Sequence, residues 1–422
     1  MKFALINTYC GYGSTGNNMI NNYNRLTSLG HEVKAFYGIR KQKFKNKDFV
    51  FFGNCFFLYL LRYHIDEILG TMGLFCVLPT IRLIHSLKEY KPNIVWLSNI
   101  HGDYVNEYWL LSFLKKNKIL TVWGLPDEYA FFFFFCSVTE CKKYLDKKGC
   151  SKCPRLRTYP RSYIFDNSHL KFKLKQKAYN GFDKLILRSA PYVINNARNS
   201  VLLGDKEMYE SDSSIDTENI FYPRENHSLY ERFSIGRNTR VILTCAPFKE
   251  PLKGVKYLLD AAKECEQEDI LFLNIAFDAD KSICPKNYIP LPFIKDKNII
   301  ADYYSLADAY VCTSLSDAQP NTCLEALACG TPIIGFNISG VPFIAPNKYG
   351  VYVEPKNTCQ LASAIKAVKK KTPETINGCR QYAESRFGIK ASEKRFNDFI
   401  DMICERVVRS NSVKNEVLNE VQ

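Results

Sequence analysis

Short apolar runs alternate along this chain with stretches whose apolar positions recur every third or fourth residue. Phe3 to Asn7 is such a run, and the spacing over Asn17 to Leu29 predicts a helix before a second run at Glu32 to Tyr37. Asn93 to Leu97 and Leu120 to Trp123 repeat the strand pattern, with helical spacing over Tyr104 to Lys116 between them. Continuous apolar strands separated by helices imply a parallel sheet covered on both faces. The pattern lapses over Ser211 to Phe233, a stretch rich in Ser, Asp, Asn and Glu, and then resumes. Arg240 to Thr244, Ile270 to Ala276, Ala309 to Thr313 and Pro332 to Phe336 read as strands. Gly254 to Cys265 and Cys323 to Cys329 read as helices, and Phe387 to Val407 as a long amphipathic one. The fold expected is α/β, with two doubly wound Rossmann-like domains facing one another across a ligand cleft. The expected division is a first domain over 1–218 with a Cys-rich insertion at 131–160, a linker at 219–235, a second domain over 236–386, and a final helix over 387–422 that returns to the first domain.

Composition fits this picture. The chain has 422 residues, 46% of them hydrophobic and 24% charged, enough for two cores. The formal charge of +14 changes the picture more. The excess is local: residues 151–200 hold eleven Lys and Arg against two Asp. Nucleotide phosphates or an anionic membrane surface would match it. Nucleic acid is not expected, because neither an RNP-type aromatic motif nor helix-turn-helix spacing is present. Met1 to Gly13 reads as a first strand entering a glycine turn rather than as a signal peptide. No stretch approaches the length of an uncharged membrane span. Sixteen scattered cysteines fit reduced thiols and a cytoplasmic setting, with peripheral association at the inner face of the plasma membrane as an extension of it.

The first candidate chemistry is the turn Gly11-Tyr-Gly13-Ser14-Thr15-Gly16, which follows the first strand and has dinucleotide-binding spacing. The acidic residue that should close the second strand is missing, since that strand ends Phe36-Tyr37-Gly38. A nicotinamide-dependent oxidoreductase is therefore an alternative rather than the main reading. A turn at the cleft floor, whose amides meet a phosphate or a sugar hydroxyl, fits better. The second is Ser314-Leu-Ser-Asp317-Ala-Gln-Pro-Asn321-Thr322-Cys-Leu-Glu325-Ala-Leu-Ala-Cys-Gly330-Thr-Pro332. Here Pro320 can start a helix and Asn321-Thr322 can offer backbone N–H groups to a phosphate. Glu325 can accept both hydroxyls of a ribose, and Asp317 suits sugar hydroxyls.

This segment resembles the E-x7-E region of retaining glycosyltransferases of family 4, with Asp in the first position. The pattern S-L-x-D-x-x-P-N-T-x-x-E-A-L-A-C-G-T-P is similar to the branch that makes bacterial surface polysaccharides of the colanic-acid type. The likeness extends to Tyr12-Gly-Ser-Thr-Gly16, Gly30-His31-Glu32-Val33, Asn99-Ile-His101-Gly102, Val122-Trp123, Cys153-Pro154 and Ser339-Gly340-Val-Pro342. The resemblance implies a GT-B fold and transfer of a hexose-type sugar, with retention, from a UDP- or GDP-sugar to a glycan or lipid-linked saccharide. It also implies no metal cofactor for catalysis. Carried over by position, Glu325 binds the donor ribose and Asp317 the donor sugar. Asn321, Thr322 and Gly340 belong to the donor site. Lys253 neutralises the leaving diphosphate. Lys249 is a substitute for the arginine that the branch carries where this chain has Leu252.

Two segments depart from the branch. Its W-T-L-H-D is here Trp123-Gly-Leu-Pro126-Asp127, so a proline replaces the histidine, and Tyr222-Pro-Arg224-Glu225-Asn226 replaces N-N-G-I-D. His101 and Asp127 are left to position an acceptor hydroxyl, together with the turn Gly13 to Gly16. A catalytically weakened sugar-nucleotide or glycan binder is the alternative these changes raise.

Cys136, Cys141, Cys150 and Cys153 form a cluster that has three readings: one structural zinc, free buried thiols, or a disulfide. Beside it, Phe131 to Phe135 reads either as a core wedge or as an apolar patch for an anionic membrane.

Overall fold

The computed structural model describes residues 1–132, 141–157, 161–276, 278 and 280–420, without the side chains of 411 and 413–420. The chain divides into two compact units. The first comprises Met1–Ser189, Val193–Ser211 and Asp401–Gln422; the second comprises Ala190–Tyr192 and Asp212–Ile400. The closing helix, Ile389–Glu420, supplies residues to both.

In the first unit the strands are β1 (Lys2–Asn7), β2 (Glu32–Tyr37), β3 (Phe49–Phe51), β4 (Ile94–Leu97), β5 (Leu120–Gly124), β6 (Leu185–Ser189) and β7 (Glu207–Glu210). They line up as β3-β2-β1-β4-β5-β6-β7 with every neighbouring pair parallel. Phe3 to Ile6 and Ile94 to Leu97 are buried along their whole length. This is why these strands read as unbroken apolar runs rather than as alternating ones.

The second unit repeats the plan with β8 (Arg240–Thr244), β9 (Ile270–Ile275), β10 (Tyr288–Leu291), β11 (Ala309–Cys312), β12 (Ile333–Phe336) and β13 (Gly350–Val353). Their order is β10-β9-β8-β11-β12-β13, again parallel throughout. Both faces are core. Val241 and Leu243 point into one apolar cluster and Ile242 into the other, as the two-residue period of a strand requires. Pro290 sits in β10, an edge strand, where its missing N–H removes no interior ladder bond.

Both sheets reverse their strand order beside the first strand, between β1 and β4 in one unit and between β8 and β11 in the other. Such a reversal leaves a crevice outside the carboxyl ends of the two strands, because the connections leave in opposite directions. The expectation of two Rossmann-like doubly wound units is borne out. Among the described residues, no helix is long and apolar enough to cross a membrane.

Candidate active site

In the second unit a cavity of about 150 Å³ lies at the point where the strand order reverses. Its walls are Thr244 to Ala246, at the end of β8 and just beyond it, with Tyr310 of β11 and Cys312 to Ser314 at the end of that strand. Lys253, Asp317 and the turn Pro320 to Thr322 complete it.

Lys253 closes the short turn Pro251–Lys253. That turn is stapled to the end of β11: the Thr313 hydroxyl donates to the Lys253 carbonyl at 2.9 Å, and the Leu315 amide donates to the Leu252 carbonyl at 2.7 Å. Gly254 makes the approach possible. Its φ is +67°, and a Cβ there would fall 2.2 Å from the Thr313 carbonyl oxygen. Asp317 is held from the other side, where the Gly340 amide donates to its carbonyl at 2.8 Å. A Cβ on Gly340 would come within 1.8 Å of the Ala318 oxygen.

These two loops bring Lys253 Nζ to 2.8 Å from Asp317 Oδ2. Burial pulls the ammonium toward deprotonation, but the Asp317 carboxylate outweighs it, and the Lys253 pKa is raised above its ordinary value. The lysine is therefore a permanent cation at the cavity wall.

The helix Asn321–Ala328 starts at the cavity. Its N-cap is Pro320, whose side chain offers no acceptor, so the first-turn amides have no side-chain cap. Together with the helix dipole they form a site suited to an anion. Glu325 lies one turn further in, and Tyr304 Oη donates to its Oε2 at 2.9 Å. Burial pushes the Glu325 carboxyl up to about 7, against the smaller opposing effects of Tyr304 and Lys297. Gly330, with φ +80°, ends this stretch.

The cavity thus gathers Lys253, Asp317, Asn321 and Thr322. Glu325 is not in its lining; its carboxylate is held by the Tyr304 hydroxyl. Gly340 supports the Asp317 loop by its amide. Lys249 is exposed, and its amide donates to Asp278 Oδ2 at 2.8 Å.

The first unit has its own cluster at the carboxyl ends of β1, β4 and β5. Gly13, Ser14 and Thr15 open the helix Gly13–Ser28, and Gly16 is buried against Tyr9 and Gly11. The Thr8 hydroxyl reaches the His101 carbonyl at 3.2 Å. His101 Nε2 lies 2.9 Å from Asp127 Oδ2, and its ring packs on Tyr129 at 4.8 Å. Asp127 Oδ1 also accepts from the Tyr129 amide at 2.9 Å. The two residues left by the histidine-to-proline departure form a pair, and Pro126 itself is exposed.

Cys136 lies outside the described residues. Cys141, Cys150 and Cys153 carry no disulfide. Among the described residues, no group of three His, Cys, Asp or Glu side chains could hold a metal ion. Phe131 and Phe132 are core residues, 1% and 4% exposed; Phe133 to Phe135 lie outside the described residues.

Sequence reasoning missed Tyr304, Cys245 and Tyr310. Tyr304 lies in the helix Lys297–Leu306, which it did not predict. Tyr310 Oη accepts from the Cys245 amide at 3.3 Å and thereby fixes the turn after β8. The rule that ligands sit beyond the strand ends at an order reversal could have flagged Cys245. Nothing in the sequence marks Tyr304 as the partner of Glu325.

Residues 239–370 match the family described as glycosyl transferases group 1. Every residue expected from the sequence to meet a donor, from Lys249 to Gly340, falls inside that stretch. An 86-residue segment is 31% identical to a D-inositol 3-phosphate glycosyltransferase of Geodermatophilus obscurus, spanning 20% of this chain and 19% of that protein. Over nearly the whole chain the fold is similar to a sucrose-phosphate synthase of Thermosynechococcus elongatus, with TM-score 0.60, 13% identity, and 96% and 99% of the two chains covered. It is also similar to Anabaena HepE in complex with UDP, with TM-score 0.59, 13% identity, and 95% and 100% covered. At these identities the structural likeness is one of fold, and that fold is of the GT-B type.

Proposed function

We propose that this protein is a retaining glycosyltransferase that moves a hexose-type sugar from a nucleotide-diphosphate donor to a glycan or lipid-linked saccharide in surface polysaccharide synthesis. The observation that carries the reading is the cavity at the β8–β11 order reversal. There a paired lysine and a helix N-terminus face one space, inside the stretch that matches glycosyl transferases group 1. The binding of UDP by HepE, a neighbour of the same fold, supports a nucleoside-diphosphate donor.

On this reading the second domain, 236–386, takes the donor and the first, 1–218, handles the acceptor. Lys253 and the amides of Asn321 and Thr322 receive the diphosphate. Charge builds on the phosphate oxygen as the anomeric C–O bond breaks, and the fixed cation and helix dipole stabilise it without a metal ion. Asp317 holds a donor-sugar hydroxyl. Glu325 accepts the ribose hydroxyls. The new C–O bond forms on the same face of the sugar, and the departing phosphate oxygen takes the proton of the acceptor hydroxyl. His101, aligned by Asp127, orients that hydroxyl. A lipid-linked acceptor would bring the chain to a membrane surface.

The second reading is a sugar-nucleotide binder of weakened activity, and Pro126 is the observation behind it. A thermal-shift panel of nucleotide sugars followed by turnover assays tests both. Stabilisation by a UDP- or GDP-sugar with transfer to a saccharide acceptor supports the enzyme. Stabilisation without transfer or donor hydrolysis supports the binder. Stabilisation by NAD alone would overturn both.

A further inference from the structure

One helix of the first unit is built inside out. In Phe56–Leu69, the residues at helical spacing that face inward are Tyr59, Arg62, Tyr63, Asp66 and Glu67. Asp66 is fully buried and accepts from the Thr71 hydroxyl; Arg62 Nε lies 4.0 Å from it. Tyr63 Oη donates to Glu67 at 3.1 Å. The opposite stripe faces solvent and is apolar apart from His64: Phe56, Phe57, Leu60, Leu61, Ile65 and Ile68, with Phe57 at 73% exposure. An ordinary surface helix has the reverse polarity.

The apolar stripe does not stop at the helix. Segment 162–165 runs along its last turn, where the amides of Tyr163 and Ile164 donate to the carbonyls of Glu67 and Ile68, both at 3.0 Å. It adds exposed Ile164 and Phe165. Cations stand at both ends. Lys41 lies 5.9 Å from the Phe56 ring. At the other end the Arg157 guanidinium lies 5.6 Å from the Tyr163 ring, and Arg161 Nη1 donates to Tyr163 Oη at 3.2 Å.

We infer that the Phe56–Leu69 face with segment 163–165 is a docking surface for an anionic lipid bilayer. Apolar side chains would enter the acyl boundary while the flanking Lys41, Arg157 and Arg161 meet anionic headgroups. Charge selects this occupant. A self-complementary contact between two copies would crowd two sets of these cations on a chain of net charge +14. The inference deepens the proposed function in one respect, by naming the surface that would bring the chain to a lipid-linked acceptor, and its test does not depend on transfer.

The test is flotation of the full chain with phosphatidylcholine vesicles containing about one-third phosphatidylglycerol, against phosphatidylcholine alone. Binding is expected to the anionic vesicles and should weaken at high salt. The double variant Phe57→Ser/Leu61→Ser should lose at least about tenfold in apparent affinity, because two large apolar contacts are removed. Arg157→Ala/Arg161→Ala should weaken binding by about tenfold while leaving the apolar face intact. Lys253→Met should float like the parent, so loss of transfer and loss of membrane binding are separable. Three results would overturn the inference: no flotation of the parent chain, flotation undiminished in both double variants, or a dimer in solution that Phe57→Ser/Leu61→Ser converts to monomer.

Discussion

Lys253 and Asp317, 64 positions apart, form an ion pair with Nζ 2.8 Å from Oδ2. On the proposed reading, a donor diphosphate would compete with Asp317 for the lysine. Lys253→Met should therefore do more than remove a charge from the donor, because it also leaves Asp317 without its partner. The expected loss in kcat/KM is about 10²–10³-fold, the range for a preorganised group facing developing charge. Steady-state kinetics with saturating acceptor measure it.

Glu325 makes pH a probe of donor binding. Its carboxyl is pushed from an ordinary 4.5 up to about 7 by burial. Between those values the folded chain holds a proton that the unfolded chain has released. The stabilisation from holding it is complete below about 4.5 and is lost as pH rises through about 7. Glu325→Gln removes the buried charge. It should raise stability by about 1–3 kcal/mol at pH 8 and leave it nearly unchanged near pH 4. Denaturant titrations at the two pH values check this.

The same variant should lose donor affinity by about tenfold or more at pH 8, the magnitude for hydrogen bonds to a charged group. In the parent chain donor affinity should fall as pH drops below about 7, and in Glu325→Gln it should be flat there. Calorimetric titration with UDP and GDP over this range reads both effects. Undiminished affinity in the variant would remove Glu325 from the ribose site.

Gly340 offers a structural test of the Asp317 loop. Its added Cβ would stand 1.8 Å from the Ala318 oxygen, a clash with backbone rather than with a movable side chain. Gly340→Ala should displace the loop, cost about 1–3 kcal/mol of stability, and weaken donor binding as well. Unfolding curves alongside donor affinity test whether the two losses go together.

The pair His101 and Asp127 should act as one element. Replacing either, as His101→Ala or Asp127→Asn, should lower kcat about 10²-fold while leaving donor affinity unchanged. The double variant should be little worse than the single ones, since residues in one hydrogen-bonded unit are not additive. Additive losses would mean that the two residues work separately.

Much of this was legible in the sequence because it is local. The buried strands announced themselves as apolar runs, and Glu32 to Tyr37 was placed without error. The segment Asp317 to Gly340 carried a helix start, a carboxylate and a glycine-bounded loop at fixed spacing, so residues that the fold gathers at the cavity, Asp317, Asn321 and Thr322, could be singled out before any fold was known. Short edge strands such as Phe49–Phe51 and Gly350–Val353 were not legible, because a run of three or four residues has no period of its own.

Tertiary structure decided what depends on pairing over distance. Chain spacing cannot tell that Lys253 is met by Asp317, that Tyr304 holds Glu325, or that His101 reaches Asp127. The first and the last are set by segments leaving different strands at one end of a sheet, and the second by the packing of two helices, Lys297–Leu306 and Asn321–Ala328. The polarity of Phe56–Leu69 shows the limit most directly. Its two stripes are written in the sequence, but periodicity gives the stripes and not the direction in which they point. Only the buried partners of Asp66 and Arg62 turned the polar stripe inward and left the apolar one facing out.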